Sequence, residues 1–118
     1  MGWFSQKSTF SWKHLSNDND VRDLLVESNE KPILIFKHST RCSISSMSLS
    51  RFEREWDTSK DVSLYYLDLL NYRDLSNSIA QELRVDHQSP QVIVINRSEV
   101  IYQESHNAID ALEISQLI

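Results

Sequence analysis

Apolar residues along this chain change their period repeatedly, recurring at helical spacing, then closing into short continuous runs, then opening out again. Such alternation points to an α/β architecture, with strands buried under helices. Val21, Leu24 and Leu25 mark one face of a first helix, for which Ser16 and Asp18 are candidate N-caps, and which should stop near Asn29 ahead of Pro32. Ile33-Leu34-Ile35-Phe36 is a continuous run rich in β-branched residues, as expected of a central strand covered on both faces. Ile44, Met47, Phe52 and Trp56 then predict one side of a helix that begins at about Cys42 or Ser43. The segment from Val62 to Leu69 is again strand-like, and Tyr72, Leu75, Ile79 and Leu83 make one stripe of a following helix. Ser89-Pro90 leads into the strand Val92-Ile93-Val94-Ile95, and Asn96-Arg97-Ser98 should turn it into a hairpin with Val100-Ile101-Tyr102. A final helix from about Asn107 is expected to turn Ile109, Leu112 and Leu117 to the sheet, and Phe10 to Trp12 could add a strand at the start.

This is the element order of a thioredoxin-like fold: a central mixed β-sheet of about four strands flanked by helices. The 118 residues suit one domain, 1–118, with residues 1–11 as a loosely ordered N-terminal extension and disorder confined to the ends. Several functions are disfavoured by composition. The net charge of −5, with Lys and Arg never concentrated, argues against a nucleic-acid partner. Gly2 is the sole glycine, so the glycine-rich loops that let backbone amides approach a phosphate cannot be built. No stretch approaches the ~20 apolar residues of a membrane span, and Met1 to Phe10 lacks the apolar segment of an export signal. Gln6 breaks the myristoylation pattern that Met1-Gly2 opens. One cysteine cannot form an internal disulfide, which suits a reducing compartment, and the cytoplasm is the expected location.

That cysteine, Cys42, is the leading candidate for chemistry. It follows a buried strand and opens a helix, where unpaired backbone N–H groups and the helix dipole favour an anion. Lys37, His38 and Arg41 lie within five residues upstream as expected cationic neighbours of a thiolate. A lone cysteine can also be a small buried hydrophobe, but the polar flanks His38-Ser39-Thr40-Arg41 and Ser43 imply exposure. Cys42-Ser43-Ile44-Ser45 places a serine where a dithiol oxidoreductase carries its resolving cysteine, so exchange through Cys42 would need an external thiol. Serine near a helix start is common as a cap, and the motif alone is weak.

Pro90 precedes a buried strand, and in a thioredoxin-like fold the Ser89-Pro90 bond is expected to be cis, facing the cysteine, with Ser89 backbone groups pairing to the bound compound. His14, His38, His87 and His106 raise the question of a metal, but only His38 and Cys42 share a local spacing, and none is expected. Glu53 and Glu55 fall on different helix faces, and Tyr65 and Tyr66 should alternate across a strand as packing residues.

Lys37-His38-Ser39-Thr40-Arg41-Cys42-Ser43-Ile44-Ser45, Tyr65-Tyr66-Leu67, Leu75-Ser76-Asn77, Ser89-Pro90-Gln91 and Ser105-His106, in this order, resemble the YtxJ-like monothiol bacilliredoxins from about Trp12 to the C-terminus. The resemblance implies a thioredoxin-like oxidoreductase of the bacillithiol redox system, with Cys42 as nucleophile removing the small thiol from protein mixed disulfides. It implies bacillithiol or another low-molecular-weight thiol as co-substrate and no tightly bound cofactor. The partners would be S-thiolated client proteins and, indirectly, a disulfide reductase. Lys37, His38, Arg41, Ser43, Ile44, Ser45, Ser89 and Pro90 would stabilise the thiolate or bind the substrate. The family motif usually reads Thr-Cys-Pro-Ile-Ser, and here Arg41 and Ser43 replace the threonine and the proline, which leaves the identity of the small thiol open. Two other classes remain: a monothiol glutaredoxin-like module holding an iron–sulfur cluster between subunits, and a redox-inert thioredoxin-like interaction domain.

Overall fold

The computed structural model describes residues 10–17 and 19–118. Its elements, in chain order, are β1 (Lys13–His14), α1 (Val21–Glu27), β2 (Ile33–His38), α2 (Ser43–Glu55), β3 (Ser63–Asp68), α3 (Arg73–Leu83), β4 (Gln91–Asn96), β5 (Glu99–Ser105) and α4 (Ala111–Leu117). The strands form one mixed sheet ordered β1-β3-β2-β4-β5. β2 runs parallel to β3, with His38 opposite Asp68, and antiparallel to β4, with Lys37 opposite Gln91. A fifth strand joins the expected four because Lys13 and His14 pair with Tyr65 and Tyr66, just beyond the Phe10 to Trp12 segment expected to be extended. Most of the anticipated N-terminal extension, and Asp18, lie outside the described residues.

The two-residue period of β2 divides the interior. Ile33 and Ile35 face a core made with α1 and α3, including Leu24, Leu75 and Ile79, whereas Leu34 and Phe36 face a second core with Phe52, Trp56 and Ile114 of the α2 and α4 side. Phe52 is the hub of that second core: its ring lies 5.6 Å from Phe36, 5.4 Å from Trp56 and 5.9 Å from Trp12.

Local signals were partly displaced. α1 is capped by Asp20, whose carboxylate accepts the Arg22 N–H at 2.9 Å, while the Ser16 N–H donates to Asn19 at 2.8 Å. α2 packs through Ser45, Ser48 and Phe52 at i, i+3 and i+7, and the small serines admit the helix close to the sheet. Ile44 and Met47, expected on that buried side, are instead 57% and 71% exposed. α4 starts later than expected because a 3₁₀ turn, His106–Ala108, intervenes and Asp110 caps the helix with bonds from the Leu112 and Glu113 N–H groups. Ile109, Ala111 and Ile114 are consequently the buried residues there, and Leu112 and Leu117 point outward. The β4–β5 turn uses Arg97 and Ser98, both at positive φ without a glycine. Ser28 anchors it, its carbonyl accepting the Arg97 N–H and its hydroxyl the Ser98 N–H.

Candidate functional site

Cys42 is the N-cap of α2 and is half-buried. The backbone reaches it through a turn closed by the Cys42 N–H donating to Ser39 O at 3.1 Å, and Cys42 O accepts the Ser46 N–H to start the helix. No side-chain cap occupies the helix start, so the first N–H groups of α2 stay open beside the sulfur. Ser43 and Ile44 flank it as exposed residues of the first turn.

Ser45, one turn on, is fully buried. Its hydroxyl accepts the Ser39 N–H at 3.1 Å and shares a 2.7 Å hydrogen bond with His38 Nδ1. The serine therefore binds the end of β2, the turn and α2 together. Burial lowers the pKa of His38, outweighing the opposing pull of Asp68 and Glu53, which favours the neutral ring. The expectation of His38 as a cation beside the thiol does not hold; its ring instead lies 5.6 Å from that of Tyr66 and binds Ser45.

Lys37 is a second correction. It alternates with His38, so it projects to the α3 face of the sheet, opposite α2, where it is fully buried. Its Nζ lies 3.2 Å from Ser76 O and 3.4 Å from His87 Nδ1, and burial lowers its pKa to about 8. It cannot act as the exposed cation that attracts a substrate. Arg41 remains: it is exposed, makes no ion pair among the described residues, and lines a cavity of about 340 Å³ with Thr40, Leu70 and Asn71.

The Ser89–Pro90 bond is cis. Because Lys37 pairs with Gln91, Pro90 sits at the end of β2 that leads through His38 and Ser39 to Cys42. Pro90 is buried, its carbonyl accepts the His106 N–H at 3.0 Å, and the buried Ser89 Oγ has no partner among the described residues. The sheet thus gathers Cys42, Arg41, Ser45, Ser89 and Pro90 at one end. A second groove of about 310 Å³ is lined by Ile44, Met47, Arg51, Arg54 and Asn107. Sequence reasoning missed Ser76, His87 and Gln91 around Lys37, and Leu70 and Asn71 facing Arg41. Strand parity was the one signal for the first group, since Lys37 continues the inward series Ile33, Ile35.

Among the described residues no group of three or more His, Cys, Asp or Glu side chains could hold a metal ion, and no helix is long and apolar enough to cross a membrane. A solved protein with a thioredoxin fold, proposed to be an oxidoreductase, is 26% identical, with a TM-score of 0.75 over 95% of this chain and 96% of that one. Mitochondrial thioredoxin 3 from Saccharomyces cerevisiae in its oxidised form has 19% identity and a TM-score of 0.66, over 97% and 96% of the two chains. Fasciola hepatica thioredoxin has 14% identity and a TM-score of 0.65, over 90% and 95%. These two share the fold alone. The family model for monothiol bacilliredoxin BrxC matches residues 13–114, a span that holds the helix-start cysteine, the buried Ser45 and the cis Pro90 together. This chain, whose thiol stands alone at the start of α2 on a thioredoxin-like sheet, belongs to the monothiol bacilliredoxin family.

Proposed function

We propose that the protein is a monothiol thiol–disulfide oxidoreductase that removes a low-molecular-weight thiol, bacillithiol or a close relative, from protein mixed disulfides. The observation that carries this reading is the pairing of a half-exposed Cys42 at a helix start with a Ser45 whose hydroxyl is buried and bound, so no resolving sulfur exists. In the first step the Cys42 thiolate attacks the small-thiol sulfur of the mixed disulfide. The client cysteine leaves as thiolate and takes a proton from solvent, and Cys42 holds the small thiol in a new disulfide. A second small thiol, as thiolate, then attacks that adduct, releasing the symmetric small-thiol disulfide and restoring Cys42. A separate disulfide reductase would return the small-thiol disulfide to the reduced pool.

The open N–H groups of α2 would stabilise the Cys42 thiolate, and Arg41 would meet the carboxylates of the small thiol in the adjoining cavity. Ser89, beside the cis Pro90, would offer backbone groups to the same compound. These reactants belong to a reducing compartment, in keeping with a cytoplasmic location. Intact mass after incubation with oxidised bacillithiol, in parallel with oxidised glutathione, tests the reading. One adduct per chain is expected, preferentially from bacillithiol, persisting until free thiol is added and absent in Cys42→Ser. Release of the adduct at a rate independent of added thiol would rule out the monothiol route.

A further inference from the structure

We propose that Lys37 is a positioning residue for this exchange, acting from the opposite face of the sheet: its ammonium ties β2 to the Ser76 carbonyl and the His87 ring, and so fixes the segment that carries Ser89 and Pro90 to the site. The inference rests on the reading of Ser89–Pro90 as the segment that receives the thiol compound.

Among the described residues Lys37 has no carboxylate partner, and its contacts there are the neutral acceptors Ser76 O and His87 Nδ1. A fully buried cation with such partners carries a desolvation cost that a methionine of similar volume would avoid, so stability does not account for it. Its position does suggest a role. The lowered pKa of about 8 still leaves the amine mainly protonated near neutrality, hence a donor. His87 is held toward its neutral form by partial desolvation, by Lys37 and by Arg73, and in the tautomer with the proton on Nε2 its Nδ1 accepts from the ammonium.

Beyond Val85, which is anchored in the core, the segment from Asp86 to Pro90 is then held by side-chain and backbone contacts to its surroundings. Lys37 binds His87, Gln91 Nε2 donates to Asp86 O at 2.8 Å, and the His106 N–H donates to Pro90 O at 3.0 Å. Gln91 closes the segment on itself and His106 ties it to the 3₁₀ turn after β5, so Lys37 supplies a side-chain link to β2, the strand that leads to Cys42. Ser76 O adds the α3 side of the same link, with Ser76 Oγ 3.4 Å from His87 Nδ1.

The test uses Lys37→Met, His87→Leu and His87→Gln in the full chain. His87 is exposed, so its variants should fold, and the glutamine keeps an acceptor for Lys37. Amide hydrogen exchange at His106 reads the Pro90 contact without any need for activity. It should accelerate about tenfold in Lys37→Met and His87→Leu, roughly the effect of one lost hydrogen bond, and match the wild type in His87→Gln. β2–β4 ladder amides should keep their protection in all three. Mixed-disulfide exchange should fall about tenfold or more in the first two variants and recover in His87→Gln, while alkylation of Cys42 by iodoacetamide stays unchanged. Unaltered His106 exchange in Lys37→Met and His87→Leu would overturn the proposal. If the wild type exchanged no mixed disulfide, the functional reading would fail while the His106 amide still decided the link.

Discussion

Ser45 occupies the position at which a second cysteine would resolve the adduct, and its hydroxyl is a structural joint between His38, Ser39 and α2. Ser45→Ala should cost about 1–3 kcal/mol, because it strands a buried ring nitrogen and a part-buried backbone N–H, a loss that denaturant unfolding would register. Ser45→Cys should form an internal disulfide with Cys42, seen as the loss of two hydrogens in the intact mass and of the small-thiol adduct. Lys37 predicts a pH effect of definite sign. Its folded pKa of about 8 lies below the ~10.4 of an unfolded lysine, so between these values the unfolded chain binds more protons and stability from this group rises with pH. Below that window both states are charged and the burial cost is carried in full. The unfolding free energy of Lys37→Met relative to the wild type should therefore be most favourable near about pH 7 and decline toward about pH 10. A constant difference across that range would show that Lys37 does not titrate as its burial requires.

At the scale of elements, α2 divides its duties by face. Ser45, Ser48 and Phe52 bind the helix to the sheet, while Ile44 and Met47 are exposed in the turns that follow Cys42, with Arg51 and Arg54 further along. With Cys42 as the proposed nucleophile, an exposed apolar pair on the same helix would suit contact with a protein client better than with a small polar thiol. Met47→Glu should slow exchange with a protein mixed disulfide, by about tenfold if the side chain is desolvated in the complex, and leave exchange with a small disulfide unchanged. Its stability should stay within about 0.5 kcal/mol of the wild type, because the position is on the surface. Equal slowing with both substrates would place the effect at the thiol and not at a client surface.

Across the whole molecule, the sheet order makes the site. β2 lies between parallel β3 and antiparallel β4, and that placement brings the start of β4, with Pro90, to the end of β2. Two cores clamp the arrangement, and Phe52 connects α2 to the sheet through Phe36 and to the opening segment through Trp12. The Trp12 indole N–H adds a 2.7 Å bond to Glu53. Phe52→Ala should cost about 3–5 kcal/mol, a large share of a typical domain's stability, and thermal unfolding would show it as a marked drop in midpoint. Cys42 reactivity in that variant should decline in step with the folded fraction, since the helix start depends on how α2 is seated.

The alternation of apolar periods was enough to identify the α/β class, the strands around Ile33, Val92 and Val100, and the face of α3 carrying Leu75 and Ile79, because strand and helix repeats are properties of local sequence. The polar turn between a buried strand and an amphipathic helix likewise placed Cys42 at a helix start. Parity could also have separated Lys37 from His38, for adjacent strand residues point to opposite faces. What local pattern does not contain is the identity of the partner across each face. Ile44 and Met47 looked like core because they are apolar, yet the sheet accepted the small Ser45 and Ser48 there and left the larger pair outside. The bonds of Ser45 to His38, of Lys37 to Ser76 and His87, and the position of Pro90 beside the end of β2 join residues far apart or on different elements. Tertiary packing decided those, because hydrogen-bond geometry and burial depend on which elements meet, and the sheet order alone brings them together.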